Sequence, residues 1–275
     1  MKLDAHITHQ TELLTNYYGN YDEDGRLAHK HNSIEFLTTM RFIEKYLSAG
    51  VRVLEVGAGT GRYSRTIADK GFNVEAVELL QSHIDIFRKQ ITPKQNIHVQ
   101  QGNALDLHMF NNDAFDITLV LGPMYHLHTV EDKRKCISEA LRVTKPDGII
   151  FVAYIIADAA IIEDSFVRGL WKIEGELKKG RIDPHTFDVK STPEDIFALT
   201  RKEDIDCLMS DFSVTRLHYV ATNMLSRILR NSVAAMDDDT FELYLRYHFA
   251  VCERPDMVGM TAHSLDIFRK PQLRP

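Results

Sequence analysis

Glu55-Val56-Gly57-Ala58-Gly59-Thr60-Gly61 joins Val51 to Val56, which reads as a buried strand, to a helical pattern from Tyr63 to Lys70. Glycines at such a junction let the chain turn sharply and let a ligand approach the backbone. The free N–H groups at the start of the following helix favour an electron-rich group. Twenty-one residues after Gly57 comes Glu78, closing a second strand over Asn73 to Glu78. A carboxylate at that place can accept hydrogen bonds from the two hydroxyls of a ribose. A glycine loop alone is a weak signal, whereas strand, glycine loop, helix, strand and terminal acid together specify a nucleoside site.

Working outward, Ser82 to Gln90 reads as the second helix, and Ile97 to Gln101, Phe115 to Leu121 and Ile149 to Tyr154 as strands 3 to 5, with an amphipathic helix over Glu131 to Val143. Strands alternating with helices predict a doubly wound α/β fold on a mainly parallel sheet. Phe212 to Val220 and Met260 to Phe268 complete seven strands, with helices between them from Ala221 to Glu253. Two regions stand outside the alternation. Residues 1–50 hold helical stretches around Thr11 to Tyr18 and Ile34 to Leu47. Residues 158–211 read as a mostly helical insertion between strands 5 and 6, with Thr192 and Pro193 placed to start a helix. The expected organisation is one domain over 1–275: an N-terminal helical lid (1–50), a cofactor-binding core (51–157), a substrate cap (158–211) and the rest of the sheet (212–275).

Composition narrows the function classes. With 275 residues, 44% hydrophobic and 26% charged, the chain falls within the globular range and outside the disordered, collagen-like and coiled-coil classes. Its formal net charge of −6 gives no global case for nucleic-acid binding. The opening MKLDAHITHQ has no signal-peptide core, and the longest apolar run, Ile149 to Ala157, is nine residues. That is far short of the roughly 20 that span a bilayer, so no membrane partner is expected. Cys136, Cys207 and Cys252 form no CxxC pair, and none of the 13 histidines falls at a metal-ligand spacing. A cytoplasmic protein without a metal is expected, and its oligomeric state is left open.

The glycine loop also discriminates between cofactors. In the dinucleotide fingerprint the sixth position is small, and here it is Arg62. Gly57-x-Gly59-x-Gly61 with Glu55 two residues before it instead resembles motif I of the class I S-adenosylmethionine-dependent methyltransferases. The resemblance runs through about 51 to 155 and implies a Rossmann-like methyltransferase fold with S-adenosyl-L-methionine as cofactor and S-adenosyl-L-homocysteine as product. It implies that Glu55 helps hold the methionine ammonium, that Gly57, Ala58 and Gly59 pass beneath the methionine part, and that Glu78, with Leu79 beside it, takes the ribose. Gly102-Asn103-Ala104-Leu105-Asp106 is similar to the family's adenine loop. Asn103 or Asp106 would bond the ring's amino group, and Ala104 would supply a backbone N–H.

Strand 4 runs into Leu121-Gly122-Pro123-Met124-Tyr125-His126-Leu127-His128. Ligands of open α/β sheets lie beyond the carboxyl ends of the strands, so Leu121 and Gly122 are expected beside the cofactor. Methyl transfer is an in-line displacement that chiefly needs alignment, with a base only where the nucleophile starts protonated. His126 is the candidate base and Tyr125 the candidate positioning residue, against the plainer role of aromatics packed beneath the adenine or on the N-terminal helices. Around Gly19 and Gly25, Tyr17, Tyr21 and Arg26 have the composition of a lid or, equally, of an exposed acidic turn. The expected activity is methyl transfer to a small molecule or peptide. The alternatives are a nicotinamide-dependent oxidoreductase, against which Arg62 and the lack of a Tyr-x-x-x-Lys pair count, and a non-catalytic S-adenosylmethionine-binding protein.

Overall fold

Strand β1 (Arg52–Val56) is the middle of the parallel half of the sheet, pairing with β2 (Asn73–Glu78) on one side and β4 (Phe115–Val120) on the other. The computed structural model describes residues 2–19 and 29–272, with side chains from Gln10 onward. β3 (Ile97–Gln101) lies outside β2, and β5 (Thr144–Ile156) lies beyond β4. β8 (His263–Arg269) pairs antiparallel with both β5 and β7 (Thr215–Ala221), giving the order β3-β2-β1-β4-β5-β8-β7. The seven expected strands are these, and a two-residue strand β6 (Leu199–Thr200) adds to the end of β5.

Alternation along the strands sends side chains to two cores. Leu54, Val56 and Val120 face one, where they meet Cys136, Ile137, Ala140 and Val143 of α5 (Val130–Val143). Those four helical positions recur at the spacing of one face, and Thr129 caps the helix by accepting from the Asp132 N–H at 3.0 Å. Val53, Ile117 and Leu119 face the other core, against Phe42 and Ile43 of α2 (Lys30–Glu44) and Ile67 of α3 (Arg62–Asp69). Full burial of each such aliphatic side chain contributes about 1.5–3 kcal/mol. Ile137→Ala would therefore open a cavity under β4 and β5.

The remaining helices frame the carboxyl ends of the strands. α1 (Lys2–Tyr18) lies across them, and α4 (Gln81–Gln90) follows β2. The stretch 158–211 holds less helix than its pattern suggests. α6 (Ala157–Ala160) continues into a π-helical turn, Ile161–Val167, and α7 (Ile173–Lys178) is short. Thr192 and Pro193 start no helix: Asp195 accepts from the Thr192 N–H at 2.7 Å and also pairs with Arg181, which closes a turn instead. α8 (Lys202–Ser210) sends Ile205, Leu208 and Met209 into the core beside α5, so it serves the sheet. Between β7 and β8 the helical region resolves into a 3₁₀ turn at Met224–Ser226, α9 (Arg230–Ala234), α10 (Asp238–Val251) and α11 (Pro255–Val258).

Candidate functional site

At the end of β1 the chain turns three times through the left-handed region, with φ of 72° at Gly57, 55° at Gly59 and 82° at Gly61. Each glycine has its own neighbour. A Cβ on Gly57 would meet Pro123 Cδ at 2.7 Å, and one on Gly61 would meet the Phe87 ring at 2.1 Å. A Cβ on Gly59 would meet nothing within 4 Å, because this residue borders a cavity of about 200 Å³. Glu78 braces the loop across that cavity: Oε2 accepts from the Gly59 N–H at 2.8 Å and Oε1 from the Leu80 N–H at 2.9 Å. A carboxylate has about four acceptor positions; the two N–H groups take two and His83 Nδ1 stands 3.4 Å from Oε1, so Oε2 keeps one for a ligand's hydroxyl.

Glu55 lies beneath the loop, 2% exposed, and lines the same cavity. Its Oε2 accepts from the Ser64 N–H at 2.9 Å and from the Ser64 hydroxyl, so it caps α3 from the preceding strand. Oε1 is the oxygen left to the cavity. Burial pushes the Glu55 carboxyl up to about 7, with the Glu78 charge adding to the effect and the Ser64 bonds opposing it. A cation brought beside this carboxylate would relieve the desolvation that raises it. Leu79, Leu80, Asn103 and Ala104 form the wall beyond Glu78. Asn103 Oδ1 accepts from the Leu105 N–H at 2.9 Å, which holds the 102–106 turn closed. Asp106, the other residue considered for an adenine amino group, is instead exposed beside His108 and is not part of the cavity wall.

The opposite wall is the loop after β4. Leu121, Gly122, Pro123, Tyr125 and His126 all line the cavity, and a 3₁₀ turn at Pro123–Tyr125 sets their order. The insertion clamps this turn from outside: the Ala198 N–H donates to the Tyr125 carbonyl at 2.6 Å, and His126 Nδ1 lies 2.8 Å from the Ile196 carbonyl. That carbonyl can only accept, so Nδ1 carries the proton and Nε2 is an acceptor, 3.1 Å from the Tyr18 hydroxyl. Burial drives the His126 imidazole down to about 4, against the raising effect of the Ile196 bond. The ring is therefore almost entirely neutral near pH 7.

A second cavity of about 160 Å³ adjoins the first across Tyr18, Tyr125 and His263. Its walls include Tyr17 and Phe197, whose ring centroids are 5.5 Å apart, and Ala160, Glu163, Asp164 and Leu199 from the 158–211 stretch. Tyr17 thus reaches a cavity wall, while Tyr21 and Arg26 lie outside the described residues. The sequence reading missed Tyr18, Glu35, Glu163, Arg227 and His263. One signal was available: Thr11, Leu14 and Tyr18 recur on one face of α1, and all three line the first cavity. The others come from segments whose meeting no local pattern announces. Among the described residues no group of three or more His, Cys, Asp or Glu could hold a metal ion, and no helix is long and apolar enough to cross a membrane.

The residues present fit S-adenosylmethionine. A buried carboxylate faces the cavity at Glu55, a second offers a spare acceptor position at Glu78, and the open side of Gly59 leaves room along the backbone. Residues 53–148 match a family model described as a methyltransferase domain. A demethylmenaquinone methyltransferase of Clavibacter sepedonicus is 33% identical over 105 residues, which are 38% of this chain and 41% of that protein. The chain therefore matches less than half of that relative's length. A ubiquinone biosynthesis O-methyltransferase of Rickettsia bellii is 23% identical over 71% of this chain and 79% of its own. Among solved structures, a Pyrococcus horikoshii OT3 protein superposes with a TM-score of 0.58 at 16% identity, covering 94% of this chain and 99% of that one. Motif, sheet order and family match agree: residues 53–148 match a methyltransferase domain, and the glycine motif and strand order around them are similar to those of the class I S-adenosylmethionine-dependent methyltransferases.

Proposed function

We propose that the protein transfers a methyl group from S-adenosylmethionine to a small molecule, or to a peptide end narrow enough to enter, in the cytoplasm. One observation carries this reading: a cavity walled by Glu55, Glu78 and the glycine loop adjoins a second chamber, with Tyr18, Tyr125 and His263 common to both walls. When bound, S-adenosylmethionine supplies an electrophilic methyl carbon. Glu55 pairs with its ammonium, Glu78 accepts from a ribose hydroxyl, and Asn103 with the Ala104 N–H takes the adenine edge. Leu79, Leu121 and Gly122 exclude water around it. Residues 1–50 act as the lid, 51–157 as the cofactor core and the part of 158–211 before α8 as the wall of the acceptor chamber, with α8 and 212–275 completing the sheet.

Tyr125 and Tyr18 orient the acceptor from two sides. His126 holds an acceptor lone pair at Nε2, aimed at the Tyr18 hydroxyl. A nucleophile that starts protonated can pass its proton toward that pair, although an imidazole held near 4 stores a proton only weakly. Alignment therefore carries most of the rate, and the His126 lone pair supplements it.

Calorimetry and thermal melting with S-adenosylhomocysteine test the assignment. Binding should raise Tm by linkage to the folded state. Tight binding of NAD with no response to S-adenosylhomocysteine would overturn it. Binding of S-adenosylhomocysteine without turnover on any acceptor of a broad panel would favour the non-catalytic alternative.

A further inference from the structure

The second chamber has two unlike ends. One is aromatic, built from Tyr17, Tyr18, Tyr125 and Phe197, with Tyr17 edge-on to both Tyr18 and Phe197 at centroid distances of 5.0 and 5.5 Å. The other is charged, with Glu163, Asp164 and Arg227 in the wall. Glu163, on the π-helical turn, is 2% exposed, accepts from Arg227 Nη2 at 3.3 Å with Arg227 Nε 3.0 Å away, and pairs with Arg230 in direct contact. Arg168 stands 3.7 Å from it and pairs with Asp164 at 3.1 Å. Among the described residues, three guanidinium groups thus share two carboxylates at this end, one positive charge in excess. A buried carboxylate needs one good partner, and Arg230 supplies it, so Arg227 is in surplus.

Arg227 is also the guanidinium of the three that lines the chamber. Its contacts with Glu163 run through Nη2 and Nε, which leaves Nη1 for a ligand. The same field reaches His31, whose imidazole lies below its ordinary value through burial first and then through Arg230, His29 and Arg227. We infer that this chamber takes a small planar molecule carrying one carboxylate, its ring among Tyr17, Tyr18, Tyr125 and Phe197 and its carboxylate on Arg227. Calling that molecule the methyl acceptor rests on the methyl-transfer reading; its binding does not. The specificity this creates is for charge at one end of the acceptor and flatness in the middle. A neutral analogue would leave Arg227 desolvated without a second partner.

Benzoate and benzamide are matched in shape and differ in charge, so they separate the two requirements. Their affinities are measured by calorimetry on the full chain, with and without S-adenosylhomocysteine. Benzoate should bind about tenfold to a hundredfold more tightly than benzamide, the range of one hydrogen bond to a charged group. Arg227→Gln should erase that preference, and Glu163 keeps Arg230 as its partner in this variant, so the buried carboxylate is not stranded. The affinity for S-adenosylhomocysteine should not change in Arg227→Gln. Equal binding of the two probes, binding of neither, or a preference that survives Arg227→Gln would overturn the inference. Failure of wild-type protein to bind S-adenosylhomocysteine would instead sink the methyl-transfer reading, because benzoate binding does not require it.

Discussion

The two cavities are built by different rules. The glycine-loop cavity draws its defining groups from within a few tens of residues, and its geometry is set by backbone: left-handed glycines, the Gly59 and Leu80 N–H groups on Glu78, and the Ser64 N–H on Glu55. The acceptor chamber is assembled by side chains from remote segments. Tyr17 of α1 lies edge-on to Phe197 of the insertion, and Arg227 meets Glu163 across 64 positions. A site held by backbone tolerates few residue types at each position, whereas one held by side chains can be rebuilt around a new acceptor while the cofactor end stays fixed.

The largest effect that would test this contrast lies at Gly61. Gly61→Ala places a Cβ 2.1 Å from the Phe87 ring at a φ of 82°. Overpacking costs about 1–3 kcal/mol, and left-handed backbone adds about 1–2 kcal/mol for a residue with a Cβ. Urea unfolding should therefore show a loss of about 3 kcal/mol or more. Gly71→Ala has a similar φ of 89° but nothing within 4 Å, so it should lose only the backbone share, about 1 kcal/mol. Equal losses in the two variants would mean that the loop is not wedged against α4.

Next comes Glu78. Glu78→Ala should weaken S-adenosylhomocysteine by about 1.5–3 kcal/mol, the range of a hydrogen bond to a charged group, and should loosen the loop by leaving the Gly59 and Leu80 N–H groups without their acceptor. An unchanged dissociation constant would remove Glu78 from the cofactor site. On the acceptor side the effect is smaller. His126→Gln should lower kcat about tenfold, the worth of one neutral hydrogen bond near the reacting groups, with the cofactor affinity within about 1 kcal/mol of wild type. Turnover equal to wild type would reduce the Tyr125–His126 turn to alignment alone.

The same contrast governs what the sequence could reveal. Residues from Glu55 to Gly61 and Glu78 were legible because backbone chemistry restricts them: a left-handed turn wants glycine, and a strand end facing a ribose wants a carboxylate. The doubly wound, mainly parallel sheet followed for the same reason, since alternating short apolar runs and helices admit few architectures. The acceptor chamber was only outlined. Tyr17, Tyr125 and His126 stood out as residue types, but nothing near Arg227 in the chain marks it as the neighbour of Glu163. Thr192 and Pro193 misled for a physical reason too. A helix start was the locally favoured reading, and the Asp195 carboxylate, tied to Arg181, turns the chain instead.

The smallest expected effect is a pH dependence centred on Glu55. Its carboxyl is raised from 4.5 to about 7 by burial, so the folded state holds a proton there that the unfolded chain has released. The folded state binds more protons between those two values, and linkage then makes stability fall as pH rises from about 4.5 to about 7, with no further loss from this group above that. Cofactor binding should reverse the trend. An ammonium beside Glu55 favours the ionised form, so binding near neutral pH releases a proton, and affinity for S-adenosylhomocysteine grows between pH 6 and 7.5 by less than about tenfold. Calorimetry in buffers of different ionisation enthalpy reads that proton directly. Glu55→Gln should bind more weakly and with a flatter pH profile. Proton uptake on binding, or an unaltered profile in Glu55→Gln, would place the ammonium elsewhere and leave Glu55 as the cap of α3 alone.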